Sequence, residues 1–236
     1  MALHDTSVPE QLLTGMRLAR GAIGRGELVV IPTDTVYGVA ADAFTPAAVQ
    51  RLLDAKGRGR QSPPPVLVPG IPTLDALAES VPSEVRDLVA EFWPGGLTVV
   101  LRARSTLNWD LGETRGTVAL RMPSHPIALE LLSETGPLAV SSANHTGQTA
   151  AMTAAEAQAM FGDAVAVYLE AGPAGADYAD VPAGTGSTIV DATALGHPEG
   201  RVRILRHGVI AESEIARVVG PDRMPAAPGG RAGAEG

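Results

Sequence analysis

The sequence predicts a single-domain α/β fold, a twisted, open, mixed sheet with helices on its faces. Segments of helical apolar period alternate with short apolar runs bounded by Gly, Pro or polar clusters, which is the pattern of a layered α/β domain. Some strand candidates follow one another with no helix between them, so the sheet is expected to be mixed rather than purely parallel. At 236 residues, 45% hydrophobic and 19% charged, the chain suffices for one substantial core.

Residues 1–8 have no apolar period and are expected to be flexible. From Pro9, Leu12, Leu13, Met16, Ala19 and Ile23 recur at helical spacing, and Gly24 and Gly26 stop the pattern. Leu28 to Ile31 is a continuous apolar run, as expected for a strand covered on both faces. It breaks into Pro32-Thr33-Asp34-Thr35-Val36-Tyr37-Gly38. Thr45-Pro46 then opens a helix that ends at Lys56-Gly57. Pro63-Pro64-Pro65 is a stiff connector into a strand at Val66–Val68.

Ser83 is expected to cap a helix with Val85, Leu88, Val89 and Phe92 on one side, halted by Trp93-Pro94-Gly95-Gly96. Strands follow at 97–101 and 117–120, a helix from Pro126, and a strand at 138–140 that runs into Ser141-Ser142-Ala143-Asn144. Thr153 to Glu156 reads as a capping box. Strands are expected at 165–169, 187–191 and 202–206, with a loop over 171–186 and a last helix over 212–219. The domain is thus placed at 9–220, with 221–236 expected to be a disordered tail.

Composition excludes several function classes. Cys is absent, which rules out disulfides, thiolate metal sites and thiol catalysis, and suits a cytoplasmic location. The five His never adopt a metal-ligand spacing, so no protein-held metal is expected. No apolar run is long enough for a membrane helix. A net charge of −8 speaks against broad polyanion binding, although a local basic groove remains compatible with it. Walker A, G-x-G-x-x-G and G-x-S-x-G patterns are all missing.

What remains is chemistry for an anion. Lys56 is the only lysine in an Arg-using chain, which fits either a site needing a compact point charge or a helix end complementing its dipole. Arg58 lies two residues on, so a chain extending after Gly57 would turn both cations to one side, as a polyphosphate requires; Arg60 shares that parity. Ser142 and Asn144 repeat the two-residue spacing at a strand end and suit phosphate or ribose, or alternatively a polar turn that caps the strand. Arg121 and Arg206 each end a strand, where an arginine forks a carboxylate or simply faces solvent. Thr33 and Thr35 line a pocket or serve the strand end, and Asp34 reads as a turn residue.

Taken together, Pro32–Gly38, Lys56-Gly57-Arg58, Trp93-Pro94-Gly95, Thr117–Pro123, Ser142-Ala143-Asn144, Ser187–Asp191 and Ile204-Leu205-Arg206 resemble, in order, the blocks of the YrdC-like (TsaC) family of threonylcarbamoyl-AMP synthases. The resemblance spans about Gly26 to Ile210. It implies conversion of L-threonine, bicarbonate and ATP to threonylcarbamoyl-AMP and pyrophosphate, with Mg²⁺ bound mainly through phosphates. A downstream transferase complex would pass the group to tRNA. It also implies a catalytic, nucleotide-handling set of Lys56, Arg58, Ser142 and Asn144, threonine contacts from Thr35, Arg121 and Ser187, and further ATP contacts from Ser62, Thr117 and Arg206.

The chain departs from the family pattern at Ser62, where an amide is usual, at Leu67, where a His is usual, and at His207. It resembles a short form without the extra C-terminal domain, so a lid is expected from its own 171–186 loop. The competing reading is a double-stranded RNA or tRNA-binding module without synthase activity, which the acidic balance disfavours.

Overall fold

The computed structural model describes residues 2–225, which form ten strands, seven α-helices and three short 3-10 turns. The strands are β1 (Ala2–Asp5), β2 (Val29–Ile31), β3 (Gly38–Asp42), β4 (Val66–Leu67), β5 (Leu97–Arg102), β6 (Thr117–Arg121), β7 (Leu138–Ser142), β8 (Val167–Glu170), β9 (Thr188–Asp191) and β10 (Arg203–Arg206). The helices are α1 (Pro9–Gly24), α2 (Pro46–Ala55), α3 (Ile71–Leu77), α4 (Ser83–Phe92), α5 (Pro126–Thr135), α6 (Ala154–Phe161) and α7 (Glu212–Val219).

All ten strands join one mixed sheet in the order β1-β8-β2-β3-β7-β4-β6-β5-β9-β10. Pairing is parallel for β1/β8, β8/β2, β4/β6 and β5/β9, and antiparallel for the rest. The alternation of a pleated strand explains why β2 is apolar throughout. Leu28 and Val30 join one buried cluster, with α2, α4, α6 and α7, while Val29 and Ile31 join the other, with α1 and α5.

The helices do not cover both faces equally. On the α1/α5 side the apolar cluster reaches Leu67, Leu138 and Val140 and contains no residue of β5, β6 or β9. There the sheet instead presents Thr98, Ala119 and Ile189 to an open cleft, while the intervening Val99, Leu120 and Val190 enter the opposite core.

Four expectations need correction. Residues 2–5 are not flexible: they pair with β8 as an edge strand, and the Asp5 carboxylate accepts from the Ser7 amide and hydroxyl. Backbone pairing supplies what the short segment lacks in apolar period. β3 has no counterpart among the expected strands because Gly38-Val-Ala-Ala has weak strand propensity, yet it pairs on both sides, with β2 and β7. α3 likewise went unrecognised, being short and preceded by Gly70. The expected tail begins with a 3-10 turn at Pro221–Arg223 that places Met224 in the core, and residues 226–236 lie outside the described residues. Among the described residues no helix is long and apolar enough to cross a membrane.

Because Leu120 is fully buried while Leu13 is 73% exposed, their truncations separate core from surface. Leu120→Ala is expected to lower unfolding stability by about 2–5 kcal/mol in denaturant titrations, and Leu13→Ala to stay within about 0.5 kcal/mol.

Candidate active site

The cleft on the uncovered part of the sheet has a volume of about 350 Å³. Its floor is the sheet, one wall is the Pro63–Pro65 connector, and Arg58, Arg121 and Arg206 reach it from three separate segments. Three guanidiniums with hydroxyls between them make a site for a multiply charged anion, assembled on rigid strand ends.

The Arg121 end is the most tightly specified. Its guanidinium donates through Nε to the Gly95 carbonyl (2.9 Å), through Nη1 to Thr35 Oγ1 (3.0 Å) and through Nη2 to Asp34 Oδ2 (2.7 Å). These three bonds leave two of its five N–H groups unassigned. Asp34 is not a mere turn residue: its side chain is 0% exposed, and its other oxygen accepts from the Ser124 amide (3.0 Å). The Thr33 hydroxyl donates to the Val36 carbonyl (2.6 Å), so the 3.2 Å contact between Thr33 and Thr35 is donated by Thr35. The sequence signal for this ion pair was weak, since Asp34 lies in a polar turn and Arg121 ends a strand 87 residues away.

At the end of β7 the two cations part: Lys56 reaches Ser142 and Asn144, whereas Arg58 reaches Ser141. Arg58 lines the cleft and donates to Ser141 Oγ (3.1 Å). Ser142 also lines it, and its hydroxyl donates to Asn144 Oδ1 (2.6 Å). Lys56 does not line the cleft. It is 1% exposed, and its ammonium donates to the Ser142 carbonyl, the Asn144 carbonyl and Asn144 Oδ1, the last at 3.3 Å. The Asn144 amide group turns away to the carbonyls of His145 (2.9 Å) and Gln148 (2.8 Å). Gly57, at φ 61°, lets the chain leave α2 in the left-handed region and carry Arg58 outward while Lys56 stays beneath the loop. Arg60 leaves the cleft altogether and pairs with Asp110 at the surface (2.6 Å).

On the far side Arg206 donates through Nε to the Ser187 carbonyl and through Nη2 to Ser187 Oγ, both at 2.9 Å. Ser187 Oγ also contacts Thr98 Oγ1 at 2.7 Å, an unforeseen partner. Arg206 as a residue is exposed, but its guanidinium packs against Gly186 and Ser187. That desolvation, and then the like charges of Arg121 and Arg58, pull its pKa below the usual arginine value. Thr117 lines the cleft and donates to the Thr114 carbonyl (2.7 Å). Ser62 stands outside the lining, immediately before the proline wall, its amide bound to the Gly59 carbonyl. Leu67, at the position noted for its departure, is part of the apolar floor.

No group of three or more His, Asp or Glu capable of holding a metal occurs among the described residues. The donors at the cleft are guanidiniums and hydroxyls, and its neighbouring carboxylate, Asp34, is engaged by Arg121. Such a set fits Mg²⁺ that keeps its water and arrives on phosphate oxygens.

Burial, and secondarily the charge of Arg58, lower the Lys56 pKa to about 7 from 10.5, against the three acceptors that favour the ammonium. With the folded value depressed, the unfolded chain binds the proton more tightly, so this group's contribution to stability rises with pH between those two values. In Lys56→Met that rise is expected to vanish, read as the difference in urea midpoint between about pH 7 and about pH 9.5.

A sequence-family model, Sua5/YciO/YrdC, described as telomere recombination, matches residues 21–208. A protein of Mycobacterium tuberculosis H37Rv named "Putative threonylcarbamoyl-AMP synthase" is 49% identical over 218 residues, 92% of this chain and 95% of that one. The threonylcarbamoyl-AMP synthase of Pyrococcus abyssi is 35% identical over 211 residues, 89% of this chain and 58% of that one. The structure of P. abyssi Sua5 complexed with L-threonine superposes with a TM-score of 0.81 at 32% identity, over 95% of this chain and 63% of that chain. The chain thus spans less than two thirds of the P. abyssi protein and nearly all of the mycobacterial one. With the family pattern running through most of its length, the chain belongs to the Sua5/YciO/YrdC family.

Proposed function

We propose that this protein is an L-threonylcarbamoyladenylate synthase, a nucleotidyltransferase that forms threonylcarbamoyl-AMP and pyrophosphate from L-threonine, bicarbonate and ATP. The observation that carries the reading is the fixed Arg121 guanidinium, with two N–H groups unassigned, in the same cleft as Arg58 and Arg206. One end suits a carboxylate, the other a polyphosphate. The names of the mycobacterial and P. abyssi relatives, and L-threonine in the P. abyssi complex, support the same assignment.

In this reading residues 9–220 form the catalytic unit. Arg121 forks the threonine carboxylate, while the Thr35 and Ser187 hydroxyls meet its polar groups. Arg58 and Ser142 handle the phosphates, with Thr117, Arg206 and, at the rim, Ser62 completing the ATP contacts. Lys56 acts through the Ser142–Asn144 loop, whose carbonyls it gathers, so that the hydroxyl of Ser142 stays presented to the cleft. Mg²⁺ would be held by the phosphate oxygens and its own water, and would supply charge neutralisation on the triphosphate.

The threonine amine and bicarbonate give a carbamate with loss of water. A carbamate oxygen then bonds to the α-phosphorus as the bond to the bridging oxygen breaks, and the electron pair leaves on pyrophosphate. No protein nucleophile is required. The chain aligns the two substrates and stabilises charge on the leaving group. The product is a reactive mixed anhydride, suited to a downstream transferase complex that modifies tRNA in the cytoplasm.

The assay is pyrophosphate release from ATP. Release is expected to require both L-threonine and bicarbonate. Arg58→Ala is expected to lower kcat/KM by about a hundredfold or more, and Arg60→Ala to change it by less than about twofold, since an exposed ion pair contributes little. Absence of release with L-threonine, together with tRNA binding that survives raised salt, would favour the RNA-binding module instead.

A further inference from the structure

The connection from β8 to β9, residues 171–186, is built largely of Gly, Pro, Ala and Asp, yet its tyrosine turns inward. The Tyr178 hydroxyl lies 3.3 Å from Asp34 Oδ2, the oxygen that already receives Arg121 Nη2, and it sits against the Gly96 backbone. Gly96 permits this approach: a Cβ there would stand 2.9 Å from the tyrosine oxygen and 2.2 Å from Val209. Burial, and then the Asp34 charge, push the Tyr178 hydroxyl up to about 12, so it remains a donor across the neutral range. Arg121 meanwhile holds the Gly95 carbonyl, so Tyr178, Asp34 and Arg121 form one hydrogen-bonded network beside the Gly95-Gly96 turn.

The Pro32–Gly38 segment grips this connection twice. Tyr37 holds its root, accepting from the Ala171 amide (2.9 Å) and donating to the Gly172 carbonyl (2.8 Å), and Asp34 holds its middle. Between the two grips Gly175 lies so close to Thr35 that a Cβ would stand 3.2 Å from the Thr35 carbonyl. A hollow of about 240 Å³ under the connection shares Thr35 with the main cleft.

We propose that Tyr178 is a positioning residue for the amino-acid end of the cleft: its hydroxyl orients the Asp34 carboxylate that aims Arg121, and its ring holds the connection as the wall beside Thr35. The proposal rests on the functional reading above. Asp34 is held at Oδ2 by Arg121 and Tyr178 and at Oδ1 by the Ser124 amide, and removal of the Tyr178 donor loosens the carboxylate that sets the angle of the guanidinium fork. Arg58 and Ser142 stand on other segments, outside this network.

The test is Tyr178→Phe, which keeps the ring and deletes the hydroxyl. L-Threonine affinity is expected to fall about five- to tenfold, both as KM in pyrophosphate release and as Kd by calorimetry. KM for ATP and the melting temperature are expected to stay as in the wild type. Unchanged threonine affinity in the variant overturns the proposal and leaves the functional reading standing. So does a parallel loss of threonine affinity, ATP affinity and melting temperature, the mark of a purely structural role. A wild-type protein that binds no threonine overturns the functional reading, and this proposal with it.

Discussion

Arg121 and Asp34 form an ion pair whose side chains are 7% and 0% exposed, and the site is arranged around that constraint. Two charges removed from water are tolerated only with good geometry and with their remaining hydrogen-bonding capacity met. Both carboxylate oxygens are engaged, and three guanidinium N–H groups are spoken for by Gly95, Thr35 and Asp34. The pair therefore draws together the turn after β2, the turn before β5, the end of β6 and the connection before β9. A buried pair of this kind contributes little net stability compared with apolar packing. What it supplies is orientation, a guanidinium held at a fixed angle with part of its donor set still open to the cleft.

The cleft itself follows from unequal layering. One face of the sheet is covered along its length, whereas α1 and α5 cover only part of the other, and alternation along β5, β6 and β9 turns small and polar side chains to the remainder. Strand periodicity thus separates the aliphatic core from the hydroxyl-lined floor within a single segment. A chain with a net charge of −8 concentrates three arginines at this spot, so the local potential opposes the overall one. The lowered pKa of Arg206 follows first from the desolvation of its guanidinium and then from the like charges of Arg121 and Arg58.

Lys56 illustrates how spacing misleads when burial intervenes. Its two-residue separation from Arg58 assigned both cations to one side, but Lys56 ends α2 and Arg58 follows a glycine at φ 61°. The ammonium is consumed by acceptors from the loop after β7, and the guanidinium alone lines the cleft. A compact point charge suits this interior position, where one donor centre meets several carbonyls; a planar fork does not. The lone lysine is thus explained by the loop it organises.

Much of the fold was legible in the residues because helical period, proline starts and glycine stops are local properties. Pro46–Ala55 and Glu212–Val219 declare themselves within their own spans. The recurring polar strand ends also marked the segments that carry Thr35, Arg121, Ser142 and Ser187. β1 and β3 escaped because their pairing partners, not their side chains, make them strands. Asp34, Thr98 and Tyr178 escaped for a related reason: each gains its role from a partner 87, 89 or 144 residues away. Sequence by itself determined most of the segments that become helices or strands and most of the loops that hold chemistry, since those preferences live in neighbouring residues. Tertiary structure alone decided which cation faces the cleft and which is sealed beneath it, because burial and hydrogen-bond partnership exist only once distant segments have packed.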